Sequence, residues 1–249
     1  MKTISIASAK GGTGKTTTAI CLAQSLSRKG KRVLLIDCDS QANATDWLGV
    51  QPEATPGTFG FMAAAADLAS VVVKVEECLD LLPASRALSG LDAYLLTKPR
   101  PADVLRKRLQ GVEGYDFILC DTPPSFSQIT LNALMASEEV IVPVNMEYFG
   151  IEGLRQVLET VRVLKEEAEH TLKVRAVVPT FFDSRNKKSA AVVELLREKF
   201  GSKLTPPARS SVRLSEAPSF HRSIFDFDPD GPGAEDYTKI SEVIFNANN

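Results

Sequence analysis

The apolar positions of this chain repeat with two periods, and their alternation predicts an α/β fold. Residues 3–9 (TISIASA) alternate apolar and small side chains and predict a buried strand. A glycine-rich turn, Lys10 to Gly14, follows. From Thr16 to Lys29 the apolar residues Ile20, Leu22, Ala23 and Leu26 fall at helical spacing, and Gly30 stops the helix. Residues 31–37 (KRVLLID) read as a second strand, closing a βαβ unit of roughly 35 residues. Later strands are predicted at 115–120 (YDFILC), 139–144 (EVIVPV) and 173–182 (KVRAVVPTFF). Short strands that are continuously apolar are buried on both faces, which implies a parallel sheet between two helical layers. Helical patterns cover 102–109, 151–169, 189–200 and 235–245.

The pattern weakens in two places. Within 51–101 an alanine-rich stretch, Met62 to Ala69, precedes two candidate short strands at 71–75 and 78–85. Residues 205–233 hold five of the 14 prolines and predict an irregular connection. No internal repeat or low-complexity tail divides the chain, so residues 1–249 read as one domain.

Composition removes several classes. A chain of 249 residues with 44% hydrophobic and 24% charged residues is neither disordered nor collagen-like. Its longest apolar runs, such as VLLI at 33–36, are too short to span a bilayer. The start, MKTISIASAKGG, has no signal-peptide core, so a cytoplasmic protein is expected. Cys21, Cys38, Cys78 and Cys120 show no CxxC spacing and no nearby histidine, which predicts free buried thiols rather than zinc or disulfides. His170 and His221 have no partner pattern, and Trp47 is expected to pack the loop after the second strand. The net charge of −2 conceals an asymmetry: Thr171 to Ser223 holds eleven basic and four acidic residues, a net +7, leaving −9 elsewhere. That segment is either an anion-binding face or an ordinary solvated surface.

The chemistry concentrates in three motifs. The first is Lys10-Gly11-Gly12-Thr13-Gly14-Lys15-Thr16-Thr17, between strand and helix. Glycines let backbone N–H groups curl around phosphate, and the following helix presents its positive end to the same anion. Lys15 can reach β- and γ-phosphates, and the Thr16 hydroxyl can ligate Mg²⁺. Position 9 is alanine, so the strict G-x-x-x-x-G-K-[ST] pattern fails and a deviant form with a leading lysine remains. The second is LLIDCDSQANAT (34–45), where Asp37 and Asp39 follow a strand toward the phosphate loop. One can hold metal-bound water and the other orient the attacking water; turn chemistry is the competing reading. The third is YDFILCDTPPS (115–125), an apolar strand delivering Asp121 to a metal shell, with Thr122-Pro123-Pro124 stiffening the next loop.

Together with PVNMEYFGIEGL (143–154) and VRLSEAPS (212–219), these motifs resemble the ParA/Soj branch of the ParA/MinD deviant Walker A ATPases. The resemblance runs from residue 10 to 219. It implies a P-loop NTPase fold, a doubly wound, mostly parallel sheet flanked by helices on both faces, and slow Mg²⁺-dependent ATP hydrolysis. By position, Lys10 matches the lysine that reaches across a nucleotide-sandwich homodimer. Lys15, Thr16, Asp39 and Asp121 match the phosphate lysine, the Mg²⁺ ligand, the water-positioning aspartate and the Walker B residue. Glu147 matches a cross-interface nucleotide contact, and Pro206 to Arg209, with Pro207 and Arg209 as contacts, lies where relatives pack adenine. Arg185 and Arg213 match DNA-contacting arginines, with Lys187, Lys188 and Arg209 near them in sequence. The resemblance therefore implies an ATP-dependent dimer that binds double-stranded DNA without sequence preference on the nucleoid, released by a ParB-like or other cargo adaptor.

Departures bear on this reading. Relatives carry D-P-Q-G-N where this chain has Asp39-Ser40-Gln41-Ala42-Asn43. The phosphate loop starts at residue 10, so no preceding operator-binding domain is expected. Arg213 can alternatively brace a nearby acidic loop, while Arg197 and Lys199, alternating with Glu194 and Glu198, read as surface pairs. The alternative function is a MinD-like membrane-associated ATPase. The sequence EDYTKISEVIFNANN, with one lysine, suits packing better than a membrane interface, so no membrane partner is expected. An iron–sulfur ATPase and a metabolic ATP-dependent ligase on the same fold are the remaining classes; VRLSEAPS speaks against the ligase.

Overall fold

The computed structural model describes residues 1–51, 55–64, 66–146 and 148–246. The chain starts with β1 (Lys2–Ile6), the glycine loop, α1 (Lys15–Arg28) and β2 (Val33–Asp37). Next come α2 (Asn43–Trp47), α3 (Gly57–Ala63), α4 (Leu68–Val71), β3 (Val73–Glu76) and β4 (Leu79–Leu82). Then α5 (Leu91–Leu96) and α6 (Val104–Leu109) lead to β5 (Phe117–Asp121), α7 (Gln128–Ala136) and β6 (Glu139–Asn145). They are followed by α8 (Tyr148–Glu167), β7 (Lys173–Thr180), α9 (Lys187–Phe200), α10 (Val212–Glu216), α11 (Ile224–Phe227) and α12 (Pro232–Asn246).

The seven strands form one sheet in the order β3-β4-β2-β5-β1-β6-β7. Every pairing is parallel except β3 with β4. The two residues between those strands, Glu77 and Cys78, leave room only for a hairpin, whereas the parallel pairs need long crossovers. Alternate strand residues feed opposite layers. Ile4, Ile6, Leu35, Leu119, Ile141 and Val178 pack with α1 and α12. Leu34, Ile36 and Ile118 pack on the other face with α3, α5, α6 and α7, and Val140, Val142 and Val177 with α8 and α9. The doubly wound architecture implied by the sequence is the one observed.

Details differ from the sequence reading for local reasons. The strand predicted at 3–9 stops at Ile6 because the chain peels into the glycine loop, and the one at 173–182 stops at Thr180. The sequence did not announce α7. Ile129, Ala133, Leu134 and Met135 are all buried, so the helix lacks a polar face with a readable period. The connection 205–233 holds short helical turns, two of them started by serine caps: Ser211 Oγ accepts from Leu214 N at 3.3 Å and Ser223 Oγ from Phe225 N at 3.2 Å. Cys21, Cys38 and Cys120 are buried free thiols, and Cys78 is half-buried.

Candidate nucleotide site

Strand register brings the carboxylates level. Asp37 pairs with Asp121, and Asp121 with Ile6, so β2, β5 and β1 all end at one edge beside the glycine loop. Ligands of such sheets sit at this carboxyl edge, next to a point where the winding reverses. The loop turns on Gly12 (φ 70°) and Gly14 (φ 78°), left-handed conformations that a Cβ disfavours. At Gly14 a Cβ would also come within 3.5–3.7 Å of Thr180 and Phe181. Gly14 caps α1 without a side-chain bond, so the first-turn N–H groups face the loop. Thr180 Oγ1 donates to Thr13 O at 2.9 Å and fastens the loop to β7.

Lys15 is buried and folds back over the loop, its Nζ donating to Lys10 O at 2.9 Å. Burial lowers its pKa, while Asp121 and then Asp39 hold it up. Asp121 is 1% exposed, and neither of its carboxylate oxygens has a hydrogen-bond partner. Burial, then Asp37, raise its pKa well above the usual carboxylate range; the Thr16 hydroxyl lies near enough to offset part of this. An orphaned carboxylate beside a threonine hydroxyl and a lysine has the donor chemistry of a Mg²⁺–phosphate site.

Asp37, expected in the metal shell, is engaged by the loop that follows it. Its Oδ2 accepts from Thr45 N (2.9 Å) and Thr45 Oγ1 (2.7 Å), and its Oδ1 from Asp39 N (3.1 Å). Both oxygens are therefore engaged in holding the following loop, and burial raises its pKa to about 6. Asp39, half-buried, accepts from Gln41 N at 3.0 Å in an Asx turn. Ala42 closes the turn at φ 54°, where relatives of the resembled family carry glycine. Thr122 is tied to β1 by its hydroxyl, which donates to Ile6 O at 2.8 Å, and Pro124 lies 3.8 Å from where a Cβ on Gly11 would sit.

Beside the loop opens a cavity of about 250 Å³, lined by Gly14, Thr17, Phe181, Ala208, Arg209 and Tyr237 among others. The segment expected to pack adenine contributes in part to this cavity. Ala208 and Arg209 form the wall, and Pro207 is not among the lining residues. The segment runs beside the end of β7, with Ala208 N donating to Pro179 O at 2.8 Å and Phe182 N to Ala208 O at 3.0 Å. Thr205 and Ala208 are its buried residues, and Pro206 and Pro207 between them are half-buried. The Arg209 guanidinium is held by Asp236 (Nη2–Oδ1 2.7 Å) and by Glu235, a clamp on α12. Phe181 was not singled out by its sequence. It is half-exposed into the cavity at φ 54°, a strained backbone for an aromatic residue. The only signal was an aromatic pair just past a strand aimed at the phosphate-loop edge.

Arg185 and Arg213 stand on segments that leave the sheet together at the end of β7, joined by the bond from Ser210 N to Phe182 O at 3.1 Å. Arg185 is 89% exposed and pairs with Asp183 at 2.8 Å. Arg213 pairs with Glu216 at 3.2 Å and lies over Phe227, 5.3 Å from the ring centroid. Such exposed pairs are weak and readily exchanged for another anion. Lys187 and Lys188 are exposed at the start of α9, and Arg197 pairs with Glu194 as expected. Glu147 lies outside the described residues. Both histidines have backbone partners, which no side-chain pattern announces: His170 Nε2 contacts Ser137 O at 2.9 Å, and His221 Nδ1 contacts Asp46 O at 2.6 Å.

Comparison with known proteins agrees with this geometry. A family model described as an AAA domain matches residues 1–174. The chain is 41% identical to the chromosome-partitioning ATPase Soj of Thermus thermophilus over 246 residues, 98% of this chain and 95% of that protein. Its fold is similar to a Cyanothece McdA variant in complex with ATP (TM-score 0.87, 28% identity, 98% and 96% of the two chains). It is also similar to cobyrinic acid a,c-diamide synthase of Mycobacterium smegmatis with bound ATP analogue and magnesium (TM-score 0.83, 28% identity, 97% and 93%).

Proposed function

Because this chain belongs to the ParA/Soj-type ATPases of the ParA/MinD family, we propose that it hydrolyses ATP with Mg²⁺ to position a cargo along DNA. The observation that carries the nucleotide chemistry is the orphaned, buried Asp121 beside Thr16 and Lys15 at the mouth of the glycine loop. Thr16 and Asp121 would hold the cation, Asp121 directly or through water. Mg²⁺ supplies charge neutralisation for the phosphates. Lys15 releases the Lys10 carbonyl and turns to the phosphates. Asp37 acts from behind by fixing the loop that aims Asp39 at the attacking water. The cavity at Phe181, Ala208 and Arg209 takes the base.

Lys10 is assigned the trans role. It brings positive charge to a partner subunit's phosphates, so that ATP selects the homodimer and completes the site. Arg185, Lys187, Lys188 and Arg213 supply sequence-independent phosphate contacts to duplex DNA, and an adaptor on the cargo stimulates hydrolysis and release. The membrane alternative is disfavoured by α12, whose apolar face, Ala234, Tyr237, Ile240 and Ile244, is buried in the core that it shares with α1. Tyr237 Oη and Thr18 Oγ1 are hydrogen-bonded at 3.0 Å, and Ser25 Oγ donates to Ser241 Oγ at 2.8 Å. Among the described residues no helix is long and apolar enough to cross a membrane.

Duplex DNA binding with no nucleotide, ADP and ATP, each at low and high salt, tests the reading. Binding that requires ATP and collapses with salt supports it, and Asp39→Ala should hold the ATP-loaded dimer on DNA. Binding indifferent to nucleotide refutes the switch.

A further inference from the structure

The loop that carries Asp39 is joined to the segment that carries Arg213 and Arg222. The join begins at Asp37, whose carboxylate holds Thr45 by both its N–H and its hydroxyl. Thr45 Oγ1 in turn accepts from Ala84 N at 2.8 Å, anchoring the first turn of α2 to the chain after β4. The next two residues of α2 make two long-range hydrogen bonds. Trp47 Nε1 donates to Arg222 O at 2.9 Å. His221 Nδ1 donates to Asp46 O at 2.6 Å; the acceptor is a carbonyl, so this nitrogen carries the proton. The contact is close and specific. Trp47 is 3% exposed. His221 adopts φ 50°, and Gly49 adopts φ 72° with the His221 Cβ 3.4 Å from where a Gly49 Cβ would sit.

Beyond the contact lies the basic segment. Arg222 and Arg213 both lie over the Phe227 ring, 5.9 and 5.3 Å from its centroid, and Phe220 stacks on the same ring at 5.1 Å. Three consecutive residues of a five-residue helix therefore join Asp37, through Thr45, to the loop at 221–222, through Asp46 and Trp47. Ala44, Thr45 and Trp47 of this helix are all buried.

We propose that Trp47 and His221 are positioning residues that couple the occupant of the nucleotide site to the presentation of Arg213 and Arg222. A change at Asp37 or Asp39 on binding Mg²⁺ and a γ-phosphate moves Thr45, and α2 carries the displacement to the loop at 221–222. The inference rests on the functional reading above, in which Arg213 meets DNA. Coupling of this kind needs a physical element that both sites bias, and α2 is that element.

Trp47 is the single tryptophan of the chain and reports on the contact directly. Its emission, recorded without nucleotide and with Mg-ADP and Mg-ATP, should respond to Mg-ATP. The second readout is the ratio of duplex-DNA affinity with Mg-ATP to that with Mg-ADP. Trp47→Phe keeps an aromatic ring but removes the N–H donor. His221→Gly removes the ring and suits the left-handed backbone, so it guards against a variant that fails to fold. Loss of one hydrogen bond should lower the ratio about fivefold in each variant. ATP affinity and ATP-driven dimerisation should stay at the wild-type level. An unchanged ratio in both variants overturns the proposal, as does loss of DNA binding that merely tracks loss of dimerisation. A wild-type chain whose DNA affinity ignores nucleotide refutes the functional reading instead. The coupling is then judged by Trp47 emission, and an emission blind to Mg-ATP overturns it.

Discussion

Asp121→Asn tests the site through the energy of one buried charge. The wild-type carboxylate is 1% exposed, has no hydrogen-bond partner among the described residues, and faces Asp37 and Asp39 with Lys15 as counter-charge. An unsatisfied buried polar group costs about 1–3 kcal/mol, more when charged. An amide leaves part of that cost but removes the repulsion, so a gain of ~2 kcal/mol is expected in the ligand-free chain near pH 7.5. For a chain of this size that corresponds to a rise in Tm of about 4–8 °C. The pH dependence follows from the direction of the shift. Asp121 has a raised pKa in the folded state, so the folded chain holds this proton to higher pH than the unfolded chain does. The contribution of Asp121 to stability is then greatest at low pH and falls as pH rises above about 4, with Asp37, pushed up to about 6, contributing in the same sense. The advantage of the variant should shrink as the pH is lowered. The assay is thermal unfolding from pH 4.5 to 8, with and without Mg-ADP. The variant should lose the extra stabilisation that Mg²⁺ confers on the nucleotide complex. A ligand-free Asp121→Asn that melts below the wild type, or a difference that ignores pH, would refute the reasoning.

Two further substitutions address the cavity. Phe181→Gly should weaken ADP and ATP binding about tenfold by calorimetry, because a base stacked on an aromatic ring gains ~1–3 kcal/mol. Much of the lost burial should be offset by relief of its left-handed backbone, ~1–2 kcal/mol, so an unchanged affinity would remove Phe181 from the base site. Asp236→Ala takes away the acceptor of the Arg209 backbone N–H (2.8 Å) and of its guanidinium (2.7 Å). Arg209 is 44% exposed and can rehydrate, so a loss of ~2 kcal/mol is expected, seen as lower Tm and weaker nucleotide binding. A normal affinity would show that the cavity wall does not depend on this clamp.

Much of the site was legible because its signals are local. The deviant loop, the strand ending in Asp121 and the Asp37–Asp39 pair are short, and each depends on residues within one turn or one strand end. The departures came from partners beyond the motif itself. Asp37 resembles a metal ligand until Thr45, eight residues on, is seen to occupy one of its oxygens. Arg209 resembles a free cation until α12 brings Asp236 and Glu235 to it. Phe181 and α7 were missed because burial from all sides, or an exposed aromatic after a strand, carries no periodic signal.

The sequence by itself determined the winding. Short apolar strands between amphipathic helices admit a parallel sheet covered on both faces, and the glycine loop must lie at its carboxyl edge. Only the tertiary structure decided which charged groups are committed and which remain open. That choice rests on pairs that no motif spacing announces: Asp37 with Thr45, Arg209 with Asp236, Trp47 with the Arg222 carbonyl. Such pairs form because burial penalises any donor or acceptor left alone, and the residues that answer that penalty are selected by packing across layers, not by spacing along the chain.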